Sequence, residues 1–190
     1  MSAQIKPDST HLISTTLDND DALSAEFIAT AQAQFNTQFL TIINFPTGLR
    51  LSTTTKKLYH CSLPCNPFVT LIEELGEQPH TVARCLPHST IPDRYPDILE
   101  IETEQPQWLQ VVHGRNADAT GVRGLQRASG ALIGQFGFSA ENATVPDNPS
   151  AMRLENARAK VERAAINATP TAVKTKIRNA IWNTKHGRST

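Results

Sequence analysis

Asp18, Asp20 and Asp21 put three carboxylates within four residues, with only Asn19 between them. Like charges held so close repel one another unless a cation, a proton or solvent relieves them. A divalent cation is the obvious partner, and hard oxygen ligands suit magnesium or manganese held against the diphosphate of a substrate. The competing account is structural, because an acidic run ahead of a helix also supplies a cap and a favourable charge at the helix dipole. A second constellation is Cys61-x-x-x-Cys65, with His60 beside it and Cys85 and His88 downstream. The first spacing falls in the range of structural zinc, and a thiol nucleophile is the other chemistry it offers. Three cysteines are an odd number without a secretory signal, so reduced, partly buried thiols are the simpler reading. Arg115, Arg123 and Arg127 are cations that could close over phosphates, or lie solvated in a polar loop.

These side chains need elements to carry them. Residues 11–17 are apolar and β-branched, the pattern of a buried strand, and run directly into the acidic cluster. Leu23, Phe27, Ile28, Ala31 and Phe35 then recur at helical spacing, predicting an amphipathic helix over 22–35 with Asp21 available as its cap. Segments 39–45 and 49–55 flank Pro46 and Gly48 as hairpin or meander material, and 57–63 continues the β region. Asn66 and Pro67 open a predicted helix over 68–75, with Phe68, Leu71, Ile72 and Leu75 on one face and Gly76 as its stop. Residues 81–86 suggest a short strand, 87–96 a proline-rich surface loop, and 108–113 a second buried strand that ends on His113. The stretch 114–149 carries little periodic signal and reads as a long loop. Residues 152–168 and 171–183 read as helices broken at Pro170.

Composition bounds what the chain can be. Its 190 residues are 39% hydrophobic and 19% charged, enough for one sizeable core with an appendage. The formal net charge of +0 hides an asymmetry: residues 151–190 hold 9 Lys and Arg against 2 Asp and Glu, and residues 1–150 hold 9 against 16. The body is acidic and lacks an aromatic-basic platform, which argues against nucleic acid as a partner. No signal-peptide pattern and no membrane-length apolar run is present, so a cytoplasmic setting is expected.

Residues 13–24 (ISTTLDNDDALS) resemble the strand, DxD-type motif and following helix of GT-A glycosyltransferases, and in particular the family of rhamnosyl transferases. The similarity continues in order through 44–48 (NFPTG), 66–73 (NPFVTLIE) and 108–116 (WLQVVHGRN), an extent that one short motif does not reach. The resemblance implies an α/β fold, a GT-A-like mixed sheet flanked by helices, and transfer of a sugar from a nucleotide-sugar donor to a glycan or lipid-linked acceptor hydroxyl. It implies Mn2+ or Mg2+ as cofactor, with Asp18, Asp20 and Asp21 at the donor diphosphate and His113 matching the histidine that many such enzymes add late in the domain. Asp18, Asp20 and His113 are then the metal ligands, Arg115 a phosphate contact, and Glu73 and Glu74 the candidate bases for the acceptor. A solvated helix face is the plainer account of the two glutamates.

A GT-A domain normally builds its nucleoside pocket ahead of the DxD motif, and only 17 residues precede Asp18. Residues 1–149 are therefore expected to be the metal-binding and acceptor half of such a domain, complemented by an N-terminal half or surviving as a non-catalytic accessory subunit. Without its neighbours, the strand ending in the acidic cluster would expose an apolar edge in place of a central position. Residues 150–190 are expected to form a basic helical tail. Val173, Ile177 and Ile181 fall at helical spacing among Lys174, Lys176, Arg178 and Lys185, the pattern of a helix lying on the inner membrane leaflet, or of one packed on the domain.

Overall fold

The computed structural model describes residues 8–76, 79–82, 88–95, 97–113, 122, 125–138 and 148–168. Eight strands form two four-stranded mixed sheets: β1 (His11–Thr15), β2 (Ala22–Leu23), β3 (Leu40–Asn44), β4 (Thr47–Ser52), β5 (Lys57–Ser62), β6 (Thr70–Glu74), β7 (Ile98–Glu100) and β8 (Trp108–Val112). The first sheet has the order β1-β6-β3-β7, antiparallel except for the parallel β3·β7 pair. The second has the order β2-β8-β4-β5, with β4·β8 parallel. Helix α1 (Phe27–Gln32), a single turn α2 (Ile91–Arg94), 3-10 helices at His88–Thr90 and Gly130–Phe136 and the long α3 (Pro149–Ala168) complete the described elements. This is the expected α/β class with a C-terminal helix, compatible with part of a GT-A domain, but built on two sheets where one was expected. No helix among the described residues is long and apolar enough to cross a membrane.

The two sheets meet at Phe45 and Pro46, where the chain leaves β3 in one and enters β4 in the other. A core of Phe27, Ile43, Phe45, Phe68, Ile72 and Trp108 fills the junction. Phe27 from α1 meets Phe45 edge-on at 4.8 Å, and Phe68 stacks on Trp108 at 5.1 Å. Buried main chain at such a corner must find partners. Asn66, wholly buried, donates from Nδ2 to Phe45 O and to Asn44 Oδ1, both at 2.7 Å, and accepts from Phe68 N at 2.8 Å. Asn44 in turn donates to Pro64 O at 2.7 Å, and the Trp108 indole N–H to Phe45 O at 2.7 Å. The segments 44–48, 66–73 and 108–112 that carry the family resemblance are thus the three that lock this corner.

Several elements differ from the sequence reading. The segment 68–75 is not a helix but ends in β6, flanked on both sides by β1 and β3. Val69 through Glu73 are all buried, because the Ile72 face packs on the junction core and the Leu71 face on Ile42, Val69, Val82 and Ile91. A short apolar run buried on two faces cannot be told from a helix face by periodicity alone, and the β-branched Val69, Thr70 and Ile72 favour the strand. The predicted helix over 22–35 shrinks to α1, because Ala22 and Leu23 are taken up by β8. Its N-cap is Glu26, without a side-chain bond, so Asp21 does not cap it. Thr81 stands in a turn, with residues 83–87 outside the described set. The loop expected over 87–96 holds α2, whose Ile91 is buried, and that over 114–149 contains the 3-10 helix that covers Leu49, Leu58 and Leu109 with Ile133 and Phe136. β1 lies at the edge of its sheet among the described strands, where an exposed apolar edge was expected, and all five of its residues are half-buried.

Helix α3 docks early in its length. Ala159 is its buried residue, and from residue 160 to 168 every position is exposed. Arg127 N donates to Asn156 Oδ1 at 2.6 Å, and Glu155 pairs with Lys57 and, at 3.7 Å, with Arg127. The second predicted tail helix, 171–183, lies outside the described residues.

Candidate functional site

The acidic cluster leaves β1 in a turn, with Asp18, Asn19 and Asp20 exposed and Asp21 half-buried. The Asp21 main-chain N–H bonds back to Asp18 O at 3.2 Å, closing the turn, and β2 follows at once against β8, with Ala22 opposite Leu109 and Leu23 opposite Trp108. Beyond the last pair the ladder is extended by a side chain, for Asp21 Oδ1 accepts Val111 N–H at 2.8 Å. This register brings the C-terminal end of β8 alongside the turn. Asp20 Oδ2 and His113 Nε2, 93 residues apart in sequence, lie 2.9 Å apart. Their side chains are 38% and 36% exposed, so both face solvent from which a ligand can reach them.

Asp21 is the electrostatic centre of the group. Burial is the main cause that lifts its pKa from the ordinary 3.8 to about 6, with Asp20 and Asp18 adding repulsion, while the Val111 N–H and His113 pull the other way. The carboxyl therefore binds a proton more tightly in the folded chain than in the unfolded one, so its ionisation opposes folding. That penalty is absent below about pH 4, grows as pH rises towards 6, and is complete above. With half the group in solvent, it amounts to about 1 kcal/mol at neutral pH. Asp21→Asn, which keeps the oxygen that accepts from Val111, is expected to raise urea-unfolding stability by about that amount at pH 7.5 and to leave it unchanged below pH 4. A gain of equal size at both pH values would mean that charge is not the cause.

The other sequence candidates fall elsewhere. Glu73 and Glu74 sit on β6 opposite Leu12 and His11, at the end of the first sheet away from the acidic turn. The register sets Glu73 roughly 10 Å further back along the sheet than Thr15, so the fold does not bring the two glutamates to Asp20 and His113. Glu73 is 1% exposed, and its two oxygens accept His80 N–H at 2.6 Å and Thr81 N–H at 2.8 Å. Arg127 is 4% exposed, lies over the Tyr59 ring and pairs with Glu155, so it serves the docking of α3. Arg115 and Arg123 lie outside the described residues, as does Cys85.

Cys61 is buried in the junction core, and Cys65 donates to His88 O at 3.1 Å from a different cluster. Burial pushes the Cys65 thiol up, with Glu100 adding to it, and pulls the His60 imidazole down. A raised thiol pKa is the opposite of what a thiolate nucleophile needs. Among the described residues no three His, Cys, Asp or Glu side chains are grouped so as to cage a metal ion. Sequence reasoning did not find the corner-locking roles of Asn44 and Asn66, each the first residue of a shared motif, nor the role of Asp21 as an extension of the β2·β8 ladder.

The sequence profile of one family, described as putative rhamnosyl transferase, matches residues 1–124. No curated protein and no solved structure matches the chain. The matched span contains all eight strands, the acidic turn, the asparagine-locked corner and His113. On this match over most of its length, the chain belongs to the family of putative rhamnosyl transferases.

Proposed function

We propose that the chain is a metal-dependent glycosyltransferase of GT-A type, which transfers a sugar, rhamnose by its family, from a nucleotide-sugar donor to an acceptor hydroxyl at the acidic turn. The observation that carries this reading is the meeting of Asp20 with His113 at 2.9 Å, within the span that the family shares. Asp18, Asp20 and His113 would hold a manganese or magnesium ion together with the donor diphosphate, and Arg115, two residues beyond His113, would add positive charge to the phosphates.

The donor set suits such an ion. Magnesium in phosphate-handling sites is commonly bound through one or two carboxylates and the phosphates of the substrate, without an all-protein cage. Two accessible ligands beside a carboxyl starved of positive charge meet that requirement. The ion's contribution would be to neutralise charge on the departing diphosphate. The residues of the chain orient it: Asp21 ties the turn to β8 through Val111, and β8 carries His113 to Asp20. Glu73, with both oxygens engaged by main-chain N–H groups, serves structure in this reading and not the acceptor's proton.

Calorimetric titration with a nucleotide-diphosphate rhamnose tests the reading. Binding is expected in manganese or magnesium, loss of binding in excess EDTA, and recovery when the ion is restored, with transfer or donor hydrolysis following the same pattern. Turnover that continues unchanged in EDTA would overturn the metal assignment.

A further inference from the structure

On one face of the second sheet three residues stand side by side across the strands. Arg50 on β4 lies opposite Tyr59 on β5, and Tyr59 is bridged in turn to Arg127. Directly paired residues point to the same side of a sheet. The two arginines therefore flank one ring, with the Arg127 guanidinium 5.8 Å from its centroid. Lys57, two positions before Tyr59 on β5, shares that side, while Leu58 between them faces the other way into the core with Leu49 and Leu109. Arg50 and Arg127 are both buried.

A cation taken out of water is costly unless its charge and its N–H groups are met. Arg50 donates from Nε to Gln110 Oε1 at 2.7 Å. Arg127 is less well served: its side chain is 3% exposed, yet its Nε and Nη1 are buried without a hydrogen-bond partner. Its counter-charge among the described residues is Glu155 of α3, whose Oε1 is engaged by Lys57 and whose Oε2 stands 3.7 Å from Arg127 Nε. One carboxylate is thus shared between two cations, and it is too far from the second to accept a hydrogen bond. A buried polar group left in this condition points to an ion or water that completes it.

The chemistry favours an oxyanion of phosphate type, whose several oxygens can meet a guanidinium fork and an ammonium at once. The way in lies along the Lys57–Glu155 pair, whose side chains are 35% and 32% exposed. Beyond Ala159 every described residue of α3 is exposed, so the helix is held only by its first part. We infer that Arg127 and Lys57 form a phosphate-binding site in which the Glu155 carboxylate is the resident competitor, so that a phosphoryl group and the docked α3 exclude one another. The site is distinct from the acidic turn. β2 follows that turn at one edge of the sheet, and β8, β4 and β5 lie between it and Arg127, which makes four strand spacings or about 19 Å.

The test is run in EDTA and without a sugar donor, so its outcome is independent of the transferase reading. The full chain, labelled with 15N, is titrated with inorganic phosphate and with methyl phosphate, against sodium chloride at equal ionic strength. The amides of Arg127 and Asn156 are followed, since the first donates to the side chain of the second at 2.6 Å where α3 docks. A saturable shift in the millimolar range is expected with phosphate and not with chloride. Binding of both phosphates assigns a phosphoryl group carried on a larger molecule, and binding of inorganic phosphate alone assigns the free ion. Arg127→Lys, which keeps the charge and loses the fork, should weaken binding about tenfold. Lys57→Gln, at a half-exposed position that does not threaten the fold, should weaken it by a similar factor. Glu155→Gln should tighten it about fivefold by removing the competing charge, and Asp20→Asn should leave it unchanged. The proposal is overturned by the absence of a saturable shift, by an equal response to chloride, by binding indifferent to Lys57→Gln, or by binding that Glu155→Gln does not tighten.

Discussion

Gly48→Ala is expected to destabilise the chain by about 3 kcal/mol or more, at or above the upper end of what overpacking in a core costs. Gly48 lies beside Trp108 in the parallel β4·β8 ladder, and a Cβ built on it would come within 2.1 Å of the indole. The indole has nowhere to retreat. It is fully buried, stacked on Phe68, bonded through its N–H to Phe45 O, and its strand is paired on one side with β2 and on the other with β4. Domains of this size hold roughly 5–15 kcal/mol in total, so the loss should appear as a fall in melting temperature of about 10 °C. Gly48→Ala combined with Trp108→Leu should lose less than the sum of the single changes, since the smaller side chain removes the overlap. A melting temperature unaltered by Gly48→Ala would mean that the strand and the indole do not lie as described.

Asp20→Asn should reduce metal-dependent donor binding and transfer by about a hundredfold, with little effect on stability. The side chain is exposed and its neighbour is His113, to which the amide oxygen can still bond, so the turn keeps its shape while losing its charge. His113→Ala should give a loss of similar size, and the double change should be little worse than either, because two ligands of one ion act as a unit. Losses that simply multiply would assign the two residues to separate tasks.

The sequence reading caught what depends on local pattern. Strands at 11–15, 40–44, 47–52, 57–62 and 108–112 carry β-branched or continuous apolar runs, and the start of α3 follows helical periodicity, so these were legible within a residue or three. The acidic cluster and the strand-end His113 were legible as separate features, and their family resemblance paired them before any geometry did. What stayed hidden depends on distant partners. Residues 68–75 present an apolar face at helical spacing, and only the two flanking strands decide that Thr70–Glu74 is extended. Ala22 and Leu23 read as the first turn of a helix because nothing nearby in sequence announces β8. Glu73 looked like a solvent-facing acid, since a pattern cannot say that two N–H groups seven and eight residues later will turn to face it. Asn44 and Asn66 carry no chemistry by type, and their importance comes from a corner that exists only in three dimensions.

The pairing of Ala22 with Leu109 has a consequence for how the chain is born. The first sheet needs little beyond residue 100, and its β1·β6·β3 part is complete once Glu74 has left the ribosome. The second cannot close until β8 emerges, because β8 is the strand that joins β2 to β4. Contacts of such long sequence separation form late and slowly. During synthesis Asp18, Asp20 and Asp21 therefore wait, without His113, through the addition of some 90 residues, and β4 and β5, once made, stand as a hairpin with an open flank until β8 emerges. The meeting of Asp20 with His113 therefore arrives in a single late step, when the ladder from Trp108 to Val112 closes and draws the histidine to the turn.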